Sequence, residues 1–291
     1  MPTTPRVDDT KASIARVYDA FVGGKDNFEV DREVYKQVVR VAPEAPRLAL
    51  DGRQFLGRAI TYLVAECGID QFLDLGCGFP TADNTHQVAN RANPDAVTVY
   101  VDNDATVAAH ARAILERDPN TFFTAADLRD PTGVLQDHIV AGTLDMRRPL
   151  GLLQAGTLHH LDDGERPGEI MRAYTAALAP GSVVVFTHFC TPADGSPSDH
   201  LAGEIEHCFR SSSMGTSRFR TREDLRSFLH GLELLPASAA PDAPTIVPVR
   251  DWWPCGPPTR PREPMDELFV AAIGRKPDSL MPQTNYRNED R

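Results

Sequence analysis

Three acidic residues and two glycines in this chain have the types and spacing to hold a nucleoside. The stretch Gln71-Phe72-Leu73-Asp74-Leu75-Gly76-Cys77-Gly78-Phe79-Pro80-Thr81 reads as a short buried strand that stops in a glycine turn and hands over to a helix. Gly76 and Gly78 permit positive φ and a close ligand approach that a Cβ would block. Asp102 closes a second strand, Val99-Tyr100-Val101-Asp102, 28 residues after Asp74. A carboxylate there can accept both hydroxyls of a ribose. Asp127 closes a third strand, in Ala125-Ala126-Asp127-Leu128, 25 residues later, where it can take the proton of an adenine amino group. Open α/β sheets bind ligands at the carboxyl ends of their strands, where all three carboxylates fall. Singly, each has a bland explanation: a tight turn for the glycines, a helix N-cap or loop for each Asp. Together they favour a nucleoside site. A dinucleotide fits less well, because Thr81 stands where the third glycine of that fingerprint belongs and no second mononucleotide half follows.

His159-His160, after a fourth strand, are candidate catalytic residues, since imidazole titrates near neutrality and can act as a general base. The alternative is one histidine bonded within its loop and one facing solvent. His188, Cys190, His200, His207 and Cys208 match no common zinc spacing, so no metal is expected. Trp252-Trp253 either wall a pocket or anchor a Pro-rich loop.

Positioning these residues takes an ordered set of elements. Residues 1–9 read as a loose arm. Ile14, Val17, Tyr18, Phe21 and Val22 form a helical stripe stopped by Gly23-Gly24. Asn27 or Asp31 caps a second helix carrying Val34, Tyr35, Val38 and Val39, and a third spans 47–66. Strands at 72–75, 97–101, 121–125, 150–153 and 182–187 then alternate with helices running through Val88, over 104–116, from Pro131 through Ile139, and over 166–178. Strands this apolar, alternating with helices, mean a parallel sheet covered on both faces. Helices near 199–210 and 221–230, a possible strand at 232–235, a Pro-rich segment at 236–264 and a final strand at 268–273 complete the pattern. The expected division is an N-terminal arm and helical cap (1–50), a core (51–275) and a disordered tail (276–291).

The 291 residues are 41% hydrophobic and 24% charged, ordinary for a globular protein. A net charge of −11 argues against a nucleic-acid-coating surface. Five scattered cysteines without a C-x-x-C pair suggest reduced thiols and a cytoplasmic location. Met1-Pro2-Thr3-Thr4-Pro5 opens no apolar h-region and no apolar stretch reaches about 18 residues, so neither export nor membrane spanning is expected.

Several motifs carry a family resemblance: Ala15-Arg16-Val17-Tyr18-Asp19, Gly23-Gly24-Lys25-Asp26-Asn27-Phe28, Phe72-Leu73-Asp74, Val101-Asp102-Asn103-Asp104, Ala126-Asp127-Leu128-Arg129-Asp130, Leu158-His159-His160, Leu178-Ala179-Pro180-Gly181-Ser182 and Ile246-Val247-Pro248-Val249. With them the chain, over roughly residues 12–275, resembles a bacterial, actinobacterial-type family of class I S-adenosylmethionine-dependent methyltransferases of largely unassigned substrate. Cys77 stands where that family often has Thr, and 236–245 looks like an insertion. The resemblance implies a doubly wound, mostly parallel, seven-stranded Rossmann-like sheet with an antiparallel last strand. It implies S-adenosylmethionine as cofactor and S-adenosylhomocysteine as product. Gly76 and Gly78 would face the methionine part, and Asp74 its ammonium. Asp102, with Asn103 beside it, would hold the ribose, and Asp127 with the Leu128 amide the adenine. Gln154, Ala155 and Gly156, just past strand four, would line the sulfonium. Tyr18 and the turn holding Asn27 would cover the site, Tyr18 offering an aromatic face to the cation; the plainer roles are core residue for Tyr18 and helix cap for Asn27. A small molecule, or a peptide, is the expected acceptor. A non-catalytic sensor of the cofactor, or less well a nicotinamide-dependent oxidoreductase, stands as the alternative.

Overall fold

Strands that are apolar on both faces need helices on both faces, and the chain supplies them. The computed structural model describes residues 8–80, 83–115, 118–253 and 260–278. Thr81, Cys255, the first residues of the arm and the tail from 279 onward lie outside the described residues. Three helices come first: α1 (Ile14–Phe21), α2 (Glu29–Val41) and α3 (Ala45–Ala65). The alternating section follows, with β1 (Gln71–Leu75), α4 (Thr85–Ala92), β2 (Val97–Val101), α5 (Ala105–Leu115) and β3 (Thr121–Thr124). Next come α6 (Pro131–Gln136), α7 (His138–Thr143), β4 (Gly151–Ala155), α8 (Pro167–Ala177) and β5 (Val183–Phe189). The last section holds α9 (Pro197–Ser211), α10 (Arg222–Phe228), β6 (Glu233–Leu234), β7 (Val247–Pro248) and β8 (Phe269–Arg275).

The sheet order is β3-β2-β1-β4-β5-β8-β6, with β7 also paired to β8. β1 to β5 run parallel, and β8 lies antiparallel between β5 and β6. The chain departs from β1 toward β2 on one side, while β4 lies on the other, so a crevice opens at the carboxyl end of β1. Pleating divides each strand's residues between two cores. Phe72, Leu153, Val183, Val185, Ala271 and Ile273 pack under α1–α4 and α9. Leu73, Leu75, Leu152, Val184, Phe186 and Val270 pack on the opposite face against α6–α8 and α10.

Several expectations need correction. The sheet gains β7, an eighth short strand inside the Pro-rich segment; Pro248 fits because it lies on an edge. The helix expected from Pro131 through Ile139 breaks at Asp137, whose carboxylate accepts the N–H groups of Ile139 and Val140 and so starts α7 afresh. β4 runs on through Ala155, so Gln154 and Ala155 belong to the strand and do not follow it. Trp252 is buried against Phe55 and Tyr62, and Arg58 on α3 donates to the carbonyls of Trp252 and Val249. The tryptophan pair is therefore a loop anchor.

Neither Asn27 nor Asp31 is the N-cap of α2; that position is Phe28. Asp31 lies one turn in, fully buried, and its carboxylate accepts from the N–H groups of Phe28 and Ser13 and from Arg16 Nε at 2.7 Å. Arg16 is also buried, donates to the carbonyls of Asp8 and Lys11, and lies over the Phe28 ring. One ion pair thus joins the arm, α1 and α2. Removing one partner of a buried pair strands the other's charge, so Asp31→Ala should cost about 3–5 kcal/mol in urea unfolding. A loss below about 1 kcal/mol would show that the pair does not hold the cap.

Candidate functional site

The crevice at the end of β1 opens into a cavity of about 670 Å³, within the range of small-molecule sites. Gly76 (φ +71°) and Gly78 (φ +63°) turn the chain there in the left-handed region. A Cβ on Gly76 would stand 2.5 Å from Thr157 Cγ2, so the glycine lets the loops after β1 and β4 close on each other. At Gly78 a Cβ would project into open space, so the constraint there is the backbone angle alone.

Asp102, 8% exposed, lines the cavity where β2 ends. One carboxylate oxygen accepts Gly78 N–H and the other Asp104 N–H, both at 2.9 Å. Two of about four lone-pair positions are thereby used, and the carboxylate is oriented with two left for a ligand. Burial raises its pKa against those amide bonds. Asp74 also lines the cavity, and its pKa is pushed up to about 6, by burial first, while the Thr85 hydroxyl at 2.6 Å and Arg53 pull it down. A cationic ligand group would favour its charged form and pull the pKa back down. Asn103, Leu128 and Ala155 line the same cavity.

Asp127 reaches the cavity already engaged. Arg129 donates to both its oxygens from Nε at 3.0 and 2.9 Å, and the Arg129 side chain and amide hold its pKa below the usual carboxylate range. An adenine amino group there must share the carboxylate with a guanidinium.

Two expected cofactor contacts are not at the cavity. Gln154 leaves β4 on the same side as Leu152, away from the cap, and accepts from the Thr157 hydroxyl at 2.5 Å. Its Nε2 is buried without a partner among the described residues. Asn27 donates to Asp19 and Gly24 and accepts from Arg32, so its polar atoms are taken up in the turn. The helix stripe read for α1 also divides: Val17 and Phe21 enter the core, while Ile14 and Tyr18 stay 41% and 36% exposed and line the cavity. Ser13, the N-cap of α1, donates from Oγ to Asp104, which ties the cap to the loop after β2.

His159 and His160 lie on a 3-10 turn (Leu158–His160), and both line the cavity. Burial drops His160 to about 3 and, with His160 and His188 adjacent, lowers His159 well below the usual imidazole range. Both rings are neutral at pH 7. Charging His160 would cost about 1.4 kcal/mol for each pH unit above its pKa, so it is a hydrogen-bonding group more than a strong base. The turn is pinned by a residue that sequence reading missed. Buried Arg220 donates to the carbonyls of Leu158 and Leu161, to Asp163, and to His188 Nε2 at 3.1 Å. His188 Nδ1 must then carry the proton it gives to the Phe189 carbonyl. No local pattern announces Arg220, since its partners lie 32 to 62 positions away.

His160 and His188 each have a pKa of about 3, mainly from burial, against 6.5 unperturbed. Between these values the unfolded chain binds more protons than the folded one. Their stabilisation is complete above pH 6.5 and declines as pH falls, by about 2 kcal/mol each at pH 5. His188→Gln should flatten the fall in unfolding free energy between pH 6.5 and 5; an unchanged slope would contradict the assignment.

Among the described residues no cluster of three or more metal-ligating side chains occurs, and no helix is long and apolar enough to cross a membrane. No curated protein matches the chain. A structure from Thermobifida fusca, provisionally described as a methyltransferase, superposes with a TM-score of 0.85 at 37% identity, over 95% of this chain and 99% of that one. A DUF574 family protein from Streptomyces avermitilis also gives 0.85, at 31% identity, over 94% and 100%. The profile of the family described as "S-adenosyl methyltransferase" matches residues 2–277. The chain belongs to this S-adenosyl methyltransferase family.

Proposed function

We propose that the protein transfers a methyl group from S-adenosylmethionine to a small molecule. Family membership implies the cofactor. The observation that carries the reading is Asp102, held by two amides with acceptor capacity left over, facing a cavity that continues past the strand ends. When bound, the cofactor supplies a sulfonium methyl; transfer forms one bond to the acceptor, breaks one S–C bond, leaves S-adenosylhomocysteine and releases the acceptor's proton.

Each residue then has a physical task. Asp102 accepts the ribose hydroxyls, with Asn103 alongside. Gly76 and Gly78 turn the backbone beside the methionine part, and Asp74 pairs with its ammonium. Leu128 and Asp127 border the adenine, with Arg129 sharing the carboxylate. Ala155 lies toward the sulfonium, and Tyr18 covers it, an aromatic face near a cation being worth about 0.5–2 kcal/mol. His160, with His159 packed against it, holds the acceptor's proton by hydrogen bonding. An alkylated oxygen or nitrogen is a far stronger acid than its parent, so a weakly basic imidazole can still receive that proton late.

Calorimetry with S-adenosylmethionine, S-adenosylhomocysteine and NAD separates this reading from a nicotinamide enzyme: the first two should bind and NAD should not. Asp102→Ala should weaken S-adenosylhomocysteine binding by about 2–3 kcal/mol, or roughly 30–150-fold; unchanged affinity would refute the ribose assignment. Asp74 gives a pH signature. Its pKa of about 6 means that binding an ammonium must release a proton below that pH. Affinity should be flat between about pH 6 and the ammonium's own titration near pH 8, and fall by up to about tenfold per unit below pH 6. Asp74→Asn should bind more weakly and lose that slope, and a slope retained in the variant would assign the proton elsewhere.

A further inference from the structure

The cavity extends beyond what the strand-end carboxylates border. Its far wall is built by β5, β8, α9 and the loop after α9, with Phe189, Ile205, Phe209, Met214, Thr216 and Phe269. None is charged. The charged side chains lining the cavity sit on the arm and α1, on α3, at the ends of β1 to β3, and at Glu165.

Aromatic rings form much of this wall, and packing fixes them. Phe189 stacks on Phe219 with centroids 4.7 Å apart and planes 7° apart, and lies 4.1 Å from the His159 ring. Phe209 and Phe269 pack around it at 6.0 and 5.4 Å. Gly52 adds a further sign of shaping. Glycine inside a helix costs about 1 kcal/mol relative to alanine, yet a Cβ at Gly52 would stand 2.7 Å from Phe269 Cε1. The helix forgoes that propensity to leave room for the Phe269 ring at the cavity edge. One directional polar pair reaches this end. His160 Nδ1 meets Thr216 Oγ1 at 3.1 Å, and among the described residues no hydrogen bond occupies His160 Nε2.

We propose that this chamber takes the methyl acceptor, and that the acceptor is an uncharged, flat aromatic small molecule bearing a hydroxyl that His160 Nε2 engages. This rests on the methyltransferase reading above. An ion buried here would find no counter-charge, which costs several kcal/mol. A peptide would leave backbone N–H and C=O groups unpaired against phenyl rings. A flat ring gains offset or edge-on contacts beyond its buried area.

The test is calorimetry on the full chain saturated with S-adenosylhomocysteine, using 2-naphthol, 2-naphthoate and decahydro-2-naphthol as probes. 2-Naphthol should bind saturably, and the other two at least about tenfold more weakly. Met214→Trp, which fills the chamber, should abolish 2-naphthol binding while leaving S-adenosylhomocysteine affinity within about twofold; if that variant does not fold, Ile205→Phe is read in the same way. Thr216→Val should weaken 2-naphthol about tenfold by freeing His160 from its partner. Equal or tighter binding of the naphthoate or the saturated alcohol would overturn the proposal. So would absence of 2-naphthol binding to a protein that does bind S-adenosylhomocysteine. Failure to bind S-adenosylhomocysteine itself is a different result, which removes the cofactor reading on which this one stands.

Discussion

In a sheet covered on both faces, successive side chains must leave in opposite directions, and the composition of this site follows from that alternation. Asp74, Ala155, Thr187 and Phe189 leave on the side of the cap and line the cavity. Leu73, Leu75, Leu152 and Phe186 leave on the other side and fill a second core. The same rule sends Gln154 and His188 away from the ligand, although each adjoins a residue that lines its space. A shift of one residue in β4 or β5 would exchange these sets and bury the wrong chemistry. The strongly apolar runs on both faces resist such a shift.

The second dependence is the cap. A sheet of this order leaves its crevice open on one side, and here α1 closes it. That helix is short, and so unstable alone; its position comes from bonds made elsewhere. Asp31 collects Ser13, Arg16 and Phe28, and Ser13 reaches across to Asp104, whose amide holds Asp102. The cap and the strand-end loop therefore share one hydrogen-bonded chain. Ile14 and Tyr18 remain partly exposed because the space they border is the cavity.

Much of this was legible in the sequence, for definable reasons. The parallel strands are local signals, and the structure has them within a residue or two of their expected bounds, although Asp127 follows β3 by three residues and does not close it. Asp74, Gly76, Gly78 and Asp102 all line the cavity, and turn chemistry and strand spacing place them at the strand ends directly. Gln154 is turned from the cavity because β4 continues two residues past its most apolar stretch, so strand alternation gives the cavity to Ala155. Asn27 precedes α2 without capping it: it donates to Asp19 of α1 and to Gly24, contacts that the spacing along α2 does not display. Arg220 depends on distant loops folding together, so periodicity does not announce it. The neutral state of His159 and His160 is likewise a property of burial, which the dipeptide does not display.

The claim on which the account turns is that Asp102 is preorganised for a ribose. A crystal structure of the protein with S-adenosylhomocysteine tests it most directly. Both ribose hydroxyls should lie on the Asp102 carboxylate, with the Gly78 and Asp104 amides still in place, and the sulfur directed past Ala155 toward His160 and Phe189. A ribose bound elsewhere, with the Asp102 carboxylate touching only Gly78 and Asp104, would contradict it.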